Sequence, residues 1–157
     1  MDNAFTWVQK NGGLCYEENY PYTSGSSQKA GLCAQRTCAK DMKAAPKSIV
    51  DIEENSDAAL MSALALQPVS VAIDASQSSF QLYKSGVYAT PCDSNLDHGV
   101  LAVGYGIDAR DGQKFYKVKN SWGTTWGEGG YIRLARGINQ KEGQCGILSL
   151  PPSYPVL

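Results

Sequence analysis

A chain of 157 residues has room for one domain with a real core. With 43% hydrophobic residues, 18% charged residues and a formal net charge of −1, it lacks the cationic surplus of a polyanion-binding surface. No stretch approaches the roughly 20 apolar residues of a membrane-spanning helix, so neither nucleic acid nor a membrane is expected as a partner.

In chain order, residues 1–11 read as a helix already in progress, with Ala4, Trp7, Val8 and Asn11 at helical spacing and Gly12-Gly13 as its stop. The start shows neither a basic n-region nor an apolar h-region, and this says nothing about secretion. Residues 15–48 have little periodicity. They hold Tyr20-Pro21-Tyr22, a Ser/Gly-rich stretch and three cysteines, and are expected to need disulfides to hold them. Ile49 to Ile52 is predicted as a short strand. Ser56 is the predicted N-cap of a helix that ends by Gln67, just before Pro68. The texture then changes to strands at Val69–Ile73, Gly99–Tyr105, Phe115–Lys119 and Tyr131–Leu134, separated by glycine-rich turns at Asp111-Gly112 and Gly127–Gly130.

Five cysteines are many for this length, none lies in a CxxC pair, and there is a single histidine. A metal site is therefore not expected, nor is any cofactor; structural disulfides formed in an oxidising compartment are the better reading. An odd count leaves at least one thiol without a partner inside the chain.

Two polar residues stand at strand ends. His98 opens a long apolar strand and Asn120 closes another, and a hairpin about Asp111-Gly112 would bring the two ends together. An imidazole used as a base needs a fixed ring orientation and tautomer, and a side-chain amide oxygen accepting from one ring N–H supplies both. The other ring nitrogen then faces a nucleophile, and beside a cysteine such a ring holds a thiolate–imidazolium pair. Trp122 could shield that hydrogen bond from water.

The segments Leu96-Asp97-His98-Gly99 and Asn120-Ser121-Trp122-Gly123 resemble the histidine and asparagine motifs of the papain family of cysteine proteases, which includes the cathepsins. The likeness runs in family order through Asn11-Gly12-Gly13-Leu14, Tyr20-Pro21-Tyr22, Gln67-Pro68-Val69, Phe80 to Tyr88 and Cys145-Gly146. The resemblance implies that His98 is the catalytic histidine, Asn120 its orienting amide, Trp122 the indole over the pair, and Asp97 a neighbour that tunes titration. It places Ala72, Leu96, Gly99 and Leu150 in the main specificity pocket, which favours a hydrophobic substrate side chain, and Cys92 and Cys145 in an inter-loop disulfide. Two pairings of the front cysteines stay open. Either Cys33 takes the family's bond to an earlier segment and Cys15 pairs with Cys38, or Cys38 takes that role and Cys15 pairs with Cys33.

One departure matters. The family's nucleophile lies in a C-G-S-C-W or C-G-A-C-W segment roughly 130–150 residues before its histidine, a spacing that belongs to the family itself. His98 is preceded by 97 residues, so the nucleophile, with the oxyanion glutamine of the same segment, is expected roughly 30–50 residues before Met1. Gly143-Gln144-Cys145-Gly146 mimics the start of that motif but follows the histidine and lacks Ser-Cys-Trp.

The resemblance therefore implies a truncated papain-like α+β fold: residues 1–48 the end of a helical left domain, 49–150 an antiparallel β-barrel-like right domain, and 151–157 a C-terminal crossover. It implies the C-terminal part of a cysteine endopeptidase, inactive by itself, in which His98 and Asn120 serve a cysteine from outside the chain. The alternatives are a non-catalytic paralogue that binds peptides or proteases, or one chain of a two-chain protease. Expected partners are peptide or protein substrates, cystatin-like inhibitors, and the missing segment or a complementing chain. The expected compartment is lysosomal, vacuolar or extracellular.

Overall fold

The computed structural model describes residues 1–33 and 38–157, so positions 34–37 of the loop-rich front segment lie outside the described residues. The chain forms two compact units, one of residues 2–49 with 155–157 and the other of residues 50–154 with Met1.

The first unit opens with α1 (Asp2–Lys10), whose acidic first turn and basic last turn both suit the helix dipole. Gly12 and Gly13 end it in left-handed conformation, and Gly13 admits no other residue: a Cβ there would stand 2.1 Å from the Asp41 carbonyl oxygen. That close approach lets β1 (Leu14–Cys15) form a two-rung antiparallel ladder with β2 (Lys40–Asp41); the short helix α2 (Ser24–Ser27) lies between them. Cys15 is bonded to Cys38, and Cys33 is a free, exposed thiol. Of the two open pairings within the chain, Cys15 with Cys38 is the one found. The Asp41 carboxylate then caps a 3-10 turn at Met42–Ala44 by accepting from the Lys43 N–H.

The second unit is built on a sheet whose first strand in the chain begins, and whose last strand ends, just beyond the limits of the unit. Its elements are β3 (Ser48–Asp51), α3 (Asp57–Leu64), β4 (Val69–Ile73), α4 (Ser78–Gln81), β5 (Val87–Tyr88), β6 (His98–Ile107), β7 (Lys114–Lys119), β8 (Tyr131–Ala135), a 3-10 turn at Gln144–Gly146, and β9 (Ser153–Val156). The strand order is β3-β9-β4-β6-β7-β8-β5. Strand β4 shows why the sequence makes a sheet: Val69, Val71 and Ile73 are fully buried while Ser70 and Ala72 between them are only half-buried. Ser56 caps α3 through its hydroxyl, which accepts from the Ala59 N–H, and the helix buries Leu60, Ala63 and Leu64 in the core. It ends at Leu64, before Gln67 as expected, and the Leu66 N–H bonds the Ala63 carbonyl three residues back, which tightens the last turn.

The fold is papain-like α+β, with a mixed sheet rather than a wholly antiparallel one. The pairs β4–β6, β6–β7, β7–β8 and β4–β9 are antiparallel, but β5 pairs with β8 in parallel. Strand β5 reaches the far edge through α4 instead of through a hairpin, and that route sets its direction. A bulge in β6 between Ala102 and Gly104 breaks its register with β7.

Candidate active site

His98 begins β6 opposite Ile73, the last residue of β4. Partners directly across a ladder share a face, so the imidazole stands on the core side of the sheet at its rim. The last rung between β6 and β7 is Leu101↔Lys119. One residue further, Asn120 comes level with Val100, which shares the His98 face by the two-residue period of a strand. The hairpin closes at Asp111-Gly112, where Gly112 takes a positive φ and donates its N–H to the Asp108 carbonyl.

Register alone thus brings the two polar ends together, and the side chains meet: His98 Nε2 and Asn120 Oδ1 are 2.9 Å apart. Asn120 is buried, and the same oxygen accepts the Ser121 N–H at 2.7 Å. An amide group facing a backbone donor must present its oxygen, and an oxygen can only accept. His98 Nε2 is therefore the protonated nitrogen of the neutral ring, and Nδ1 carries the lone pair that can take a proton. Trp122 stacks on the imidazole, with ring centroids 5.2 Å apart and planes inclined by 25°.

The indole has its own support, which sequence reasoning passed over. Phe80, fully buried, meets Trp122 edge-on at 5.7 Å, and Trp126 meets it edge-on at 5.3 Å. Trp126 also lies over Tyr83 and donates its Nε1–H to the Gln81 carbonyl. Phe80 and Tyr83 stand in the segment of family likeness, but nothing in their spacing says that they underlie a loop more than 40 positions later.

Asp97 is exposed; its carboxylate accepts the Ala75 N–H at 2.8 Å and its own N–H donates to the Ile73 carbonyl. Ala72 and Gly99 are direct cross-strand partners on the face opposite to that of His98. Beside them a hollow of about 440 Å³ is lined by Ser70, Gly99, Leu101, Lys119, Asn120 and Ser121. Leu96 is half-buried and approaches Gly146, while Leu150 is half-exposed and lies outside the ladder that sets Ala72 against Gly99. Cys145 is fully buried and bonded to Cys92, with S–S 2.05 Å. A sulfur so placed is no nucleophile. Another hollow, of about 470 Å³, lies in the first unit along Glu17, Tyr20–Ser24, Gly31 and Leu32, and has no imidazole or thiol in its lining. Among the described residues no cluster of three metal-ligating side chains occurs.

Comparison with known proteins gives concordant likenesses. The family described as papain family cysteine protease matches residues 1–155. The senescence-specific cysteine protease SAG39 of Oryza sativa subsp. indica is 46% identical over 155 residues, covering 99% of this chain and 43% of that protein. Vignain of Ricinus communis is 47% identical over 160 residues, covering 99% of this chain and 41% of that protein. Among solved structures, the bromelain protease from Ananas comosus, in complex with the E64 inhibitor, superposes with a TM-score of 0.87 at 39% identity, over 98% of this chain and 67% of that one. The ragweed pollen allergen Amb a 11 in its proform gives 0.85 at 40% identity, over 100% of this chain and 41% of that one. The chain spans less than half the length of these two curated relatives.

Proposed function

We propose that this chain, which belongs to the papain family of cysteine proteases, carries the acid–base half of a peptide-bond hydrolase whose cysteine nucleophile comes from outside these 157 residues. The observation that supports this most is the 2.9 Å contact between His98 Nε2 and Asn120 Oδ1, with the amide oxygen fixed by Ser121. It leaves His98 Nδ1 as the free base, under the Trp122 indole.

In the proposed reaction Nδ1 takes the thiol proton, and the thiolate attacks the carbonyl carbon of the scissile bond. As the tetrahedral intermediate collapses, the imidazolium returns its proton to the leaving amine nitrogen, and a thioester remains. Nδ1 then takes a proton from water as the resulting hydroxide adds to the thioester carbon; when this second tetrahedral intermediate collapses, the C–S bond breaks, the carboxylic acid leaves, and the imidazolium returns its proton to the sulfur. Asn120 holds the ring in one orientation throughout, and Trp122 keeps water from competing for the amide oxygen.

Ala72 and Gly99 lie side by side, and both are small. We infer that they, with Leu96 and Leu150, leave room for a hydrophobic substrate side chain. The two disulfides favour an oxidising compartment such as a vacuole, lysosome or the exterior. By likeness to bromelain, the complete protein is expected to take E64.

The test starts from the transcript upstream of the Met1 codon. The chain is expressed with whatever segment that transcript encodes and assayed on fluorogenic peptides with a hydrophobic residue second from the scissile bond. Turnover that is blocked by thiol alkylation, and lowered about 10³-fold by His98→Ala, is expected. An extended protein that binds these peptides without cleaving them overturns the reading in favour of a binding module. Cleavage that survives alkylation overturns the cysteine mechanism.

A further inference from the structure

We propose that Glu128 and Arg133 are positioning residues for the His98 imidazole, acting through the loop that carries Trp122. The inference rests on His98 being the working base and adds what holds it in place.

The loop 121–130 leaves β7 at Asn120 and returns to β8 at Tyr131. Its neck is closed by the Asn120 N–H donating to the Gly130 carbonyl and the Glu128 N–H donating to the Tyr131 carbonyl, both at 2.9 Å. Gly127 sits at φ 55°, and a Cβ there would come within 2.5 Å of the Tyr131 carbonyl oxygen, so the turn is drawn tight. These bonds shape the loop without tying it to the rest of the unit.

Beside the Trp126 Nε1–H, which donates to the Gln81 carbonyl, the Glu128 carboxylate supplies a second tie. Oε1 accepts the Gly86 N–H at 2.9 Å and Arg133 Nη2 at 2.6 Å, and Oε2 accepts Arg133 Nε at 2.8 Å. The guanidinium has a further partner in the buried Asp108 carboxylate, reached through Nη1. One acidic side chain therefore binds the loop to β8, where Arg133 resides, and to the residue that precedes β5.

From Gly86 the contacts run back to the imidazole. The Tyr83 hydroxyl donates to the Gly86 carbonyl at 2.6 Å; the Tyr83 ring lies 5.6 Å from Trp126; Trp126 meets Trp122 edge-on; and Trp122 stacks on His98. The side chains of Arg133 and Glu128 are only 15% and 26% exposed. A forked, mostly buried pair of this kind fixes geometry in a way that a solvated surface pair does not.

His98 is the only histidine, so the imidazole resonances of the 157-residue chain report on one residue and require no catalysis. Stacking under Trp122 displaces the His98 ring protons upfield, and the Asn120 contact fixes the Nε2–H tautomer that ring ¹⁵N shifts read. Glu128→Gln keeps the volume and an acceptor for Gly86; Arg133→Lys keeps the charge and loses the fork. Both are expected to move the His98 ring protons downfield and to blend the two tautomer signatures while amide dispersion is retained. The exposed control Glu53→Gln should change neither signal. Dispersed spectra of both variants with His98 resonances where the parent has them would overturn the proposal. If one variant unfolds, the other decides. If both unfold, the pair is a folding element, and its positioning role is rejected. A parent chain whose His98 protons carry no indole displacement would instead refute the stacked site itself, which separates the two failures.

Discussion

Ile73 and His98 face each other on the final rung of the β4–β6 ladder, and the isoleucine is fully buried beside the strand end that presents the imidazole. The Ile73 carbonyl also receives the Asp97 N–H, so packing and a backbone bond fasten the same point. Ile73→Ala should cost about 2–5 kcal/mol and Ile73→Val about 0.5–1.5 kcal/mol, the difference reflecting the cavity left under the rim. Urea unfolding followed by tryptophan fluorescence measures both. A cost for Ile73→Ala no larger than that for Ile73→Val would mean that the site collapses around the gap and that Ile73 does not brace the histidine.

The Cys92–Cys145 bond joins positions 53 apart, across the strands that carry the site. Constraining a loop of that length in the unfolded chain is worth about 4 kcal/mol on the chain-entropy model. Replacing both cysteines with alanine should lower the unfolding free energy by that order. The free thiol of Cys33 should react with a maleimide in the folded, unreduced chain at one equivalent. A second equivalent without denaturant would contradict the pairing.

How much of this was legible beforehand differs from residue to residue. The period-2 pattern of Val69, Val71 and Ile73 predicts β4 from end to end, because an element with one buried face writes its period into the sequence. Ser56 announces α3 in the same way, because a cap is a local contact. The meeting of His98 and Asn120 was readable because a hairpin joins them, so the turn at Asp111-Gly112 fixes their register. Strand β5 was not readable: it has two residues, its parallel partner lies more than 40 positions away, and neither period nor turn signals that pairing. The Glu128–Arg133–Asp108 ion network escaped for the same reason, since Asp108 joins it from the opposite end of the β7 hairpin. The fork also needs a side-chain geometry that composition does not encode.

In the extended protein, Asn120→Ala removes the acceptor from His98 Nε2 and frees the ring to turn. We expect kcat to fall about 10²-fold with KM little changed, because in the proposed mechanism Asn120 acts on the base through the His98 contact. Asn120→Asp keeps an oxygen in place and should retain more activity than Asn120→Ala. Equal losses in kcat for both would argue that the amide acts through packing alone. Trp122→Phe keeps a ring over the pair and should cost less than Trp122→Ala in the same assay.

Three carboxylates give the fold an acid limit with a predictable sign. Asp108 is held far below the usual carboxylate range by Arg110 first and then by Arg133. Glu128 is held down chiefly by Arg133, against the opposing effect of partial burial. Burial alone would push the Asp74 carboxyl up, but the Ser76 hydroxyl and N–H reverse the shift. In each case the folded pKa lies below the unfolded value of about 4. Between the two values the unfolded chain binds more protons, so stability rises with pH there. The contribution is complete above about pH 5 and is lost as pH falls through about 4 toward the depressed folded values. The urea midpoint should therefore stay level from pH 7 to 5 and drop steeply below 4. Arg133→Gln removes the cation shared by Glu128 and Asp108, so its midpoint should be lower at neutral pH and fall less steeply in acid, with the Asp74 share and the Arg110 share of Asp108 intact. Acid limbs of equal slope in parent and variant would show that Arg133 does not set these titrations.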